Sequence, residues 1–142
     1  MNDNEQLYQE RIVALAKAKT GAGKLTSPTR TARRDNPLCG DRVTIDVRLD
    51  DDGRIAEIAH QVRGCLLCQA SAAALSSVAV GRDKAGVAEL RHDAERAIGR
   101  EAGDPHEPFT AFAPVRAYKS RHECVLLPIE ALQDAVAGAS EG

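Results

Sequence analysis

Long apolar runs, a basic leader and basic blocks are all missing from this chain of 142 residues, and each absence removes a class of function. No apolar run approaches the roughly 20 residues that a helix needs to cross a bilayer, so no membrane partner is expected. Met1 to Glu10 is polar and acidic rather than basic and then apolar, which predicts a cytoplasmic protein without a signal peptide. Aromatic residues make up only 3%, and no segment interleaves them with basic ones. With 19 lysines and arginines against 21 acidic residues, no nucleic-acid partner is expected. There is no internal repeat or low-complexity tract, and no second Cys-x-x-Cys matches the one at Cys65 and Cys68.

What remains suits one ordinary domain over 1–142, since 43% of the residues are hydrophobic and one core can be built. Four cysteines in a reducing compartment do not predict a disulfide framework, which leaves burial, catalysis or metal binding. Their surroundings have to separate these.

Hydrophobic spacing predicts an α+β fold, a small antiparallel sheet of about three strands packed against several helices. An amphipathic helix is expected over 3–20, carried by Leu7, Tyr8, Ile12, Leu15 and Ala16, with Asn2 and Glu5 placed as a capping box. A flexible loop rich in glycine, threonine and arginine follows over 20–36, with a short edge strand near Thr29 to Arg33. Val43, Ile45, Val47 and Leu49 alternate with polar residues, and Ile58, His60 and Val62 share one face of the run from Arg54 to Arg63, so these two runs form a hairpin about Asp50 to Gly53. Helices are expected from Cys65 to Ala79, from Lys84 to Ile98 and around Ile129, Leu132, Ala135 and Val136, with a loop from Gly99 to Pro114 and a polar tail over 138–142.

The chemistry concentrates in three places. In Asn36-Pro37-Leu38-Cys39-Gly40-Asp41 the proline and glycine make a tight turn, so the Cys39 thiol and the Asp41 carboxylate can converge on one point. Gly64-Cys65 joins a strand to a helix, where unpaired N–H groups and the positive end of the dipole favour a thiolate. Arg121-His122-Glu123-Cys124 sets a third thiol beside cationic neighbours. Cys39, Asp41, Cys65 and Cys124 thus form a ligand set suited to tetrahedral zinc. Cys68, among alanines, reads as a buried apolar residue, and His60 as a core histidine. His92 and His106 have no partner pattern. His122, near Cys124, is the one histidine with an alternative role.

At these residues the chain resembles the IscU/SufU family, also known as the NifU amino-terminal domain family. The resemblance rests on the first helix beginning Leu7-Tyr8, the Asn-Pro-x-Cys-Gly-Asp turn, Gly64-Cys65 before an Ala/Ser-rich helix, and Cys124 before the last helix. It places the same four residues at the family's metal-ligating positions and leaves Cys68 without a role. Two features point to the SufU-like branch: the long separation of Cys65 from Cys124, and Glu123 where scaffold-type members have a ligand histidine. The Leu-Pro-Pro-Val-Lys chaperone-recognition stretch of the scaffold type is also missing before Cys124. The resemblance implies a zinc-dependent sulfur acceptor rather than a stand-alone enzyme. It would take persulfide sulfur on Cys39 from a pyridoxal-phosphate (PLP)-dependent, SufS-like cysteine desulfurase and pass it to downstream cluster-assembly proteins. The alternatives are a scaffold holding a [2Fe–2S] cluster on the same ligands, with His122 replacing the missing histidine, and a structural zinc module. Pro128, four residues after Cys124, departs from the pattern and allows the last helix to begin at Pro128 instead, because its ring would clash with the Cys124 carbonyl in a continuous helix.

Overall fold

The computed structural model describes residues 3–37 and 40–138, and of residues 3–8 the backbone only. Asn2 of the expected capping box and Cys39 therefore lie outside the described residues. Helix α1 (Asp3–Ala18) is followed by strands β1 (Arg30–Asn36), β2 (Asp41–Leu49) and β3 (Ile55–Arg63). Helices α2 (Leu66–Ala79), α3 (Lys84–Ala97) and α4 (His122–Ala137) complete the fold, with 3-10 segments at Phe109–Ala117 and Lys119–Arg121. The fold is α+β, as the spacing predicts.

The sheet is antiparallel in the order β1-β2-β3. Its inner face follows from the pleat. Val43, Ile45 and Val47 of β2 lie opposite Val62, His60 and Ile58 of β3, and all three β2 residues are fully buried. Strict alternation would put Ile55 on the outer face. The register shift beside Arg48 and Leu49 inserts one extra β3 residue, so Ile55 pairs with Leu49 and enters the core, 1% exposed.

Strand β1 is longer than the edge strand expected near Thr29 to Arg33 and replaces the end of the expected loop. Only Ala32 and Asn36 of its side chains are buried, so it has little apolar signal and owes its form to pairing with β2. Arg34 fastens it to α4 by donating from Nε and a terminal nitrogen to both Asp134 oxygens, at 2.6 and 3.1 Å. The other end of that loop is also tied down: Gly21 and Gly23 bond to the His60 backbone on β3, at 2.8 and 2.9 Å.

Over the sheet, α4 packs on β1 and β2 and α2 packs on β3, while α1 lies on α2 and α3 on α4. The expected loop up to Pro114 is partly wrong: Phe109–Ala117 is a 3-10 segment whose Phe109, Ala111, Phe112 and Val115 are core residues. Three residues per turn put Phe109 and Phe112 on one side, ring centroids 6.5 Å apart. A helix start at Pro128 is also overturned, because α4 begins at His122 and contains Pro128. An internal proline costs about 3 kcal/mol. Burying Val125, Leu126, Leu127 and Ile129 returns about 1.5–3 kcal/mol each, and the buried Ser71 hydroxyl donates to the Val125 carbonyl at 2.6 Å beside the interruption. Packing outweighs the local clash.

His60 is the core histidine expected. Its Nε2–H donates to the Thr20 carbonyl at 2.8 Å, and Nδ1 has no hydrogen-bond partner among the described residues. Burial pushes its pKa below the usual histidine value of 6.5, and the Thr20 bond opposes this only in part. The unfolded chain therefore takes up a proton near pH 6.5 that the folded one resists, so this contribution is present above pH 6.5 and is lost as pH falls below it. His92, raised by its bond to Glu101, works the other way. Urea midpoints at pH 7.5 and 5.5 should fall on acidification by a larger amount in the wild type than in His60→Asn. Equal falls would remove His60 from the explanation.

Candidate metal centre

All three strands present one end to the same edge of the sheet: Asn36 closes β1 opposite Asp41, which opens β2, and Arg63 closes β3 opposite Arg42. β1 is followed by β2 there, with Gly40 donating to the Asn36 carbonyl at 2.8 Å. Gly40 has φ +72, a left-handed conformation that glycine adopts without strain. Cys65 follows at the amino-terminal cap of α2, and Cys124 lies in the first turn of α4. The described ends of the Asn-Pro-x-Cys-Gly-Asp motif, Asn36 and Asp41, thus lie at the end of the sheet where α2 and α4 start.

Asp41, Cys65 and Cys124 bring one carboxylate oxygen and two sulfurs within 4.8 Å of one another. Asp41 and Cys124 are buried, at 3% and 2% exposure, whereas Cys65 is half-buried. They line a cleft of 750 Å³ with Asn36, Gly40, Arg63, Gly64, Ser120, Arg121 and Glu123. The Cys65 backbone N–H donates to Asp41 Oδ1 at 3.1 Å, and its thiol to Oδ2 at 3.6 Å. The carboxylate therefore caps α2 from a separate strand, where the helix dipole favours negative charge.

This donor set fits zinc. Two sulfurs and an oxygen share one small volume, as a tetrahedral ion requires, and the thiol proton facing Asp41 Oδ2 occupies a place that a cation can take. Cys39, which would supply the third thiol, is two residues from Asp41 and outside the described residues.

His122 does not replace the missing histidine ligand. It is buried, its Nε2–H donates to the Val115 carbonyl at 3.1 Å, and Nδ1 accepts from Arg100 Nε at 3.1 Å. Both nitrogens are engaged away from the thiols, and His122 instead ties the first turn of α4 to the 3-10 segment. Cys68 is fully buried in the core, as expected. His106 and His92 do have partners, Asp93 at 3.0 Å and Glu101 at 2.6 Å. His92, Glu95 and Glu101 also gather their ligand atoms, but on the surface, where Glu101 raises the His92 pKa and Arg96 opposes it. That group holds an ion pair, His92 with Glu101, between α3 and the segment that follows it.

Sequence reasoning overlooked Arg63, which lines the cleft, and the part played by Gly64. A Cβ on Gly64 would stand 2.5 Å from Asp41 Oδ1 and 2.7 Å from its Cγ. The Gly64-Cys65 pairing is legible in the sequence; the side chain that the glycine makes room for is not.

The chain matches the NifU-like N-terminal domain family over residues 7–137. It is 26% identical to the iron–sulfur cluster assembly scaffold protein IscU of Thermotoga maritima, over 93% of this chain and 94% of that protein. It is 31% identical to the bifunctional protein NifU/MnmA of Rubrobacter xylanophilus, over 65% of this chain but only 19% of that longer protein. Among solved structures it superposes with a TM-score of 0.83 on a Fervidobacterium islandicum protein assigned as the scaffold for iron–sulfur cluster assembly in the SUF system. Identity there is 28%, covering 92% of this chain and 97% of that one. The three converging motif segments and these likenesses agree: the chain belongs to the NifU-like N-terminal domain family.

Proposed function

We propose that this protein works in iron–sulfur cluster assembly, with Cys39, Asp41, Cys65 and Cys124 as its metal site and Cys39 as an acceptor of persulfide sulfur. The observation that carries the reading is the convergence of Asp41, Cys65 and Cys124 from three separate segments in one cleft. A zinc ion held by these residues would keep the thiols deprotonated and the segments in register. Support for zinc over a cluster comes from His122, whose two nitrogens are committed elsewhere, so that the neighbouring donors are thiols and one carboxylate.

In the transfer, the Cys39 thiolate would attack the terminal sulfur of a persulfide on the partner's cysteine. A new S–S bond forms on Cys39, the partner's S–S bond breaks, and the partner's cysteine leaves as a thiolate. The partner is a PLP-dependent, SufS-like cysteine desulfurase, and downstream cluster-assembly proteins receive the sulfur. The cleft is open on the Cys65 side, which is half-buried rather than sealed, as a docking partner requires.

A second reading, a scaffold on which a [2Fe–2S] cluster is built, is favoured by the relatives named as scaffolds. Protein purified without air separates the two. About one zinc per chain in a colourless protein is expected; a brown protein with iron and sulfide in equal amounts would establish the scaffold instead.

A further inference from the structure

Gly64 joins β3 to α2, and its φ is not in the left-handed region. Its backbone is therefore one that other residues adopt, and conformational freedom does not account for the glycine. Space does. A Cβ at this position would stand 2.5 Å from Asp41 Oδ1, 2.7 Å from Cγ and 3.0 Å from Cβ. Separations under about 3 Å lie inside van der Waals contact, and the obstructed atoms include the Asp41 stem, which turning the carboxylate cannot clear. Asp41 has little room to retreat, being 3% exposed and bonded through Oδ1 to the Cys65 N–H at 3.1 Å.

We infer that Gly64 is a positioning residue of the metal site: its missing side chain is the space through which the Asp41 carboxylate reaches Cys65 and Cys124. This rests on Asp41 being a ligand, as proposed above. Gly64→Ala would then act as an indirect removal of Asp41. Both ends of the α2 cap would be disturbed, and the thiols would keep a weaker set of donors.

A double-mutant cycle tests it. Zinc affinity by chelator competition and the visible spectrum after cobalt(II) substitution are measured for wild type, Gly64→Ala, Asp41→Ala and the double variant, with thermal melting of each metal-free protein. Gly64→Ala is expected to bind zinc about 10-fold more weakly, the scale of a lost outer-shell support, and to shift the cobalt ligand-field bands toward those of Asp41→Ala. Adding Gly64→Ala to Asp41→Ala should then cost little more. Metal-free Gly64→Ala should melt below the wild type and recover in the double variant, where the obstructed carboxylate is gone. Additive losses of affinity, or wild-type affinity and spectrum in Gly64→Ala, would overturn the inference. So would failure of both Gly64 variants to fold, since the damage would then not pass through Asp41. Should Asp41→Ala alone keep wild-type zinc affinity and spectrum, the ligand reading fails by itself. The metal-free melting recovery then decides whether Gly64 makes room for Asp41.

Discussion

Cys65→Ser is expected to lower zinc affinity by about 100-fold, while Cys68→Ser leaves zinc content intact. Structural zinc sites are worth about 10–16 kcal/mol over four ligands, so an even share for one thiolate is about 3 kcal/mol, or roughly 100-fold. The two cysteines are three residues apart at the same helix start, yet their surroundings differ completely. Cys65 faces the cleft and donates to Asp41; Cys68 is fully buried in the core and is not in the gathered donor set. A hydroxyl at Cys68 would cost about 1–3 kcal/mol of stability through an ill-matched polar group, with no effect on the donors. Removing zinc with a chelator should lower the melting temperature of the wild type, because the proposed site would join the start of β2 to α2 and α4, and should change that of Cys65→Ser far less. Equal zinc loss in the two serine variants, read by elemental analysis, would show that the pair is misassigned. An unchanged melting temperature after verified metal removal would count against the site altogether.

Sulfur delivered by a cysteine desulfurase and cysteine is expected on the peptide containing Cys39, and Cys39→Ser should cut acceptance at least about 100-fold, as loss of the nucleophile in a covalent step does. The reasons are access and freedom. The sequence sets Cys39 between Pro37 and Gly40, the residues from which a turn is expected, whereas Cys65 caps α2 and Cys124 is buried in α4. Turns are where backbone can yield to an approaching partner. A zinc-bound thiolate is a muted nucleophile, so under the proposed function attack requires Cys39 to leave the donor set, which a residue between two strands would do while the two helix starts stay in place. Peptide mass spectrometry locates the added sulfur. Wild-type acceptance by Cys39→Ser with its zinc retained would transfer the role to another thiol.

Much of the fold was legible because it is local. The alternation at Val43 to Leu49 and the alanine-rich run after Cys65 carry their own periods, and both elements stand where those periods put them. β1 was only partly legible because a charged edge strand buries just Ala32 and Asn36. The bulge that returns Ile55 to the core leaves no mark in the spacing alone. Phe109 and Phe112 were hidden among prolines, and Pro128 argued for a break that buried neighbours overrode.

The site divides along the same line. By itself the sequence determined which residue types stand at a turn and at two helix starts, and hence a set of thiols and a carboxylate able to hold a soft cation. That follows from local rules of turns and caps. Only the tertiary structure decided that Asp41, Cys65 and Cys124 share one cleft, that His122 turns to Val115 and Arg100, and that Gly64 leaves room for Asp41. These are contacts between residues far apart in the chain, or across the junction of a strand and a helix. They exist because the sheet brings one end of β1, β2 and β3 to the same edge and the core holds α2 and α4 against it.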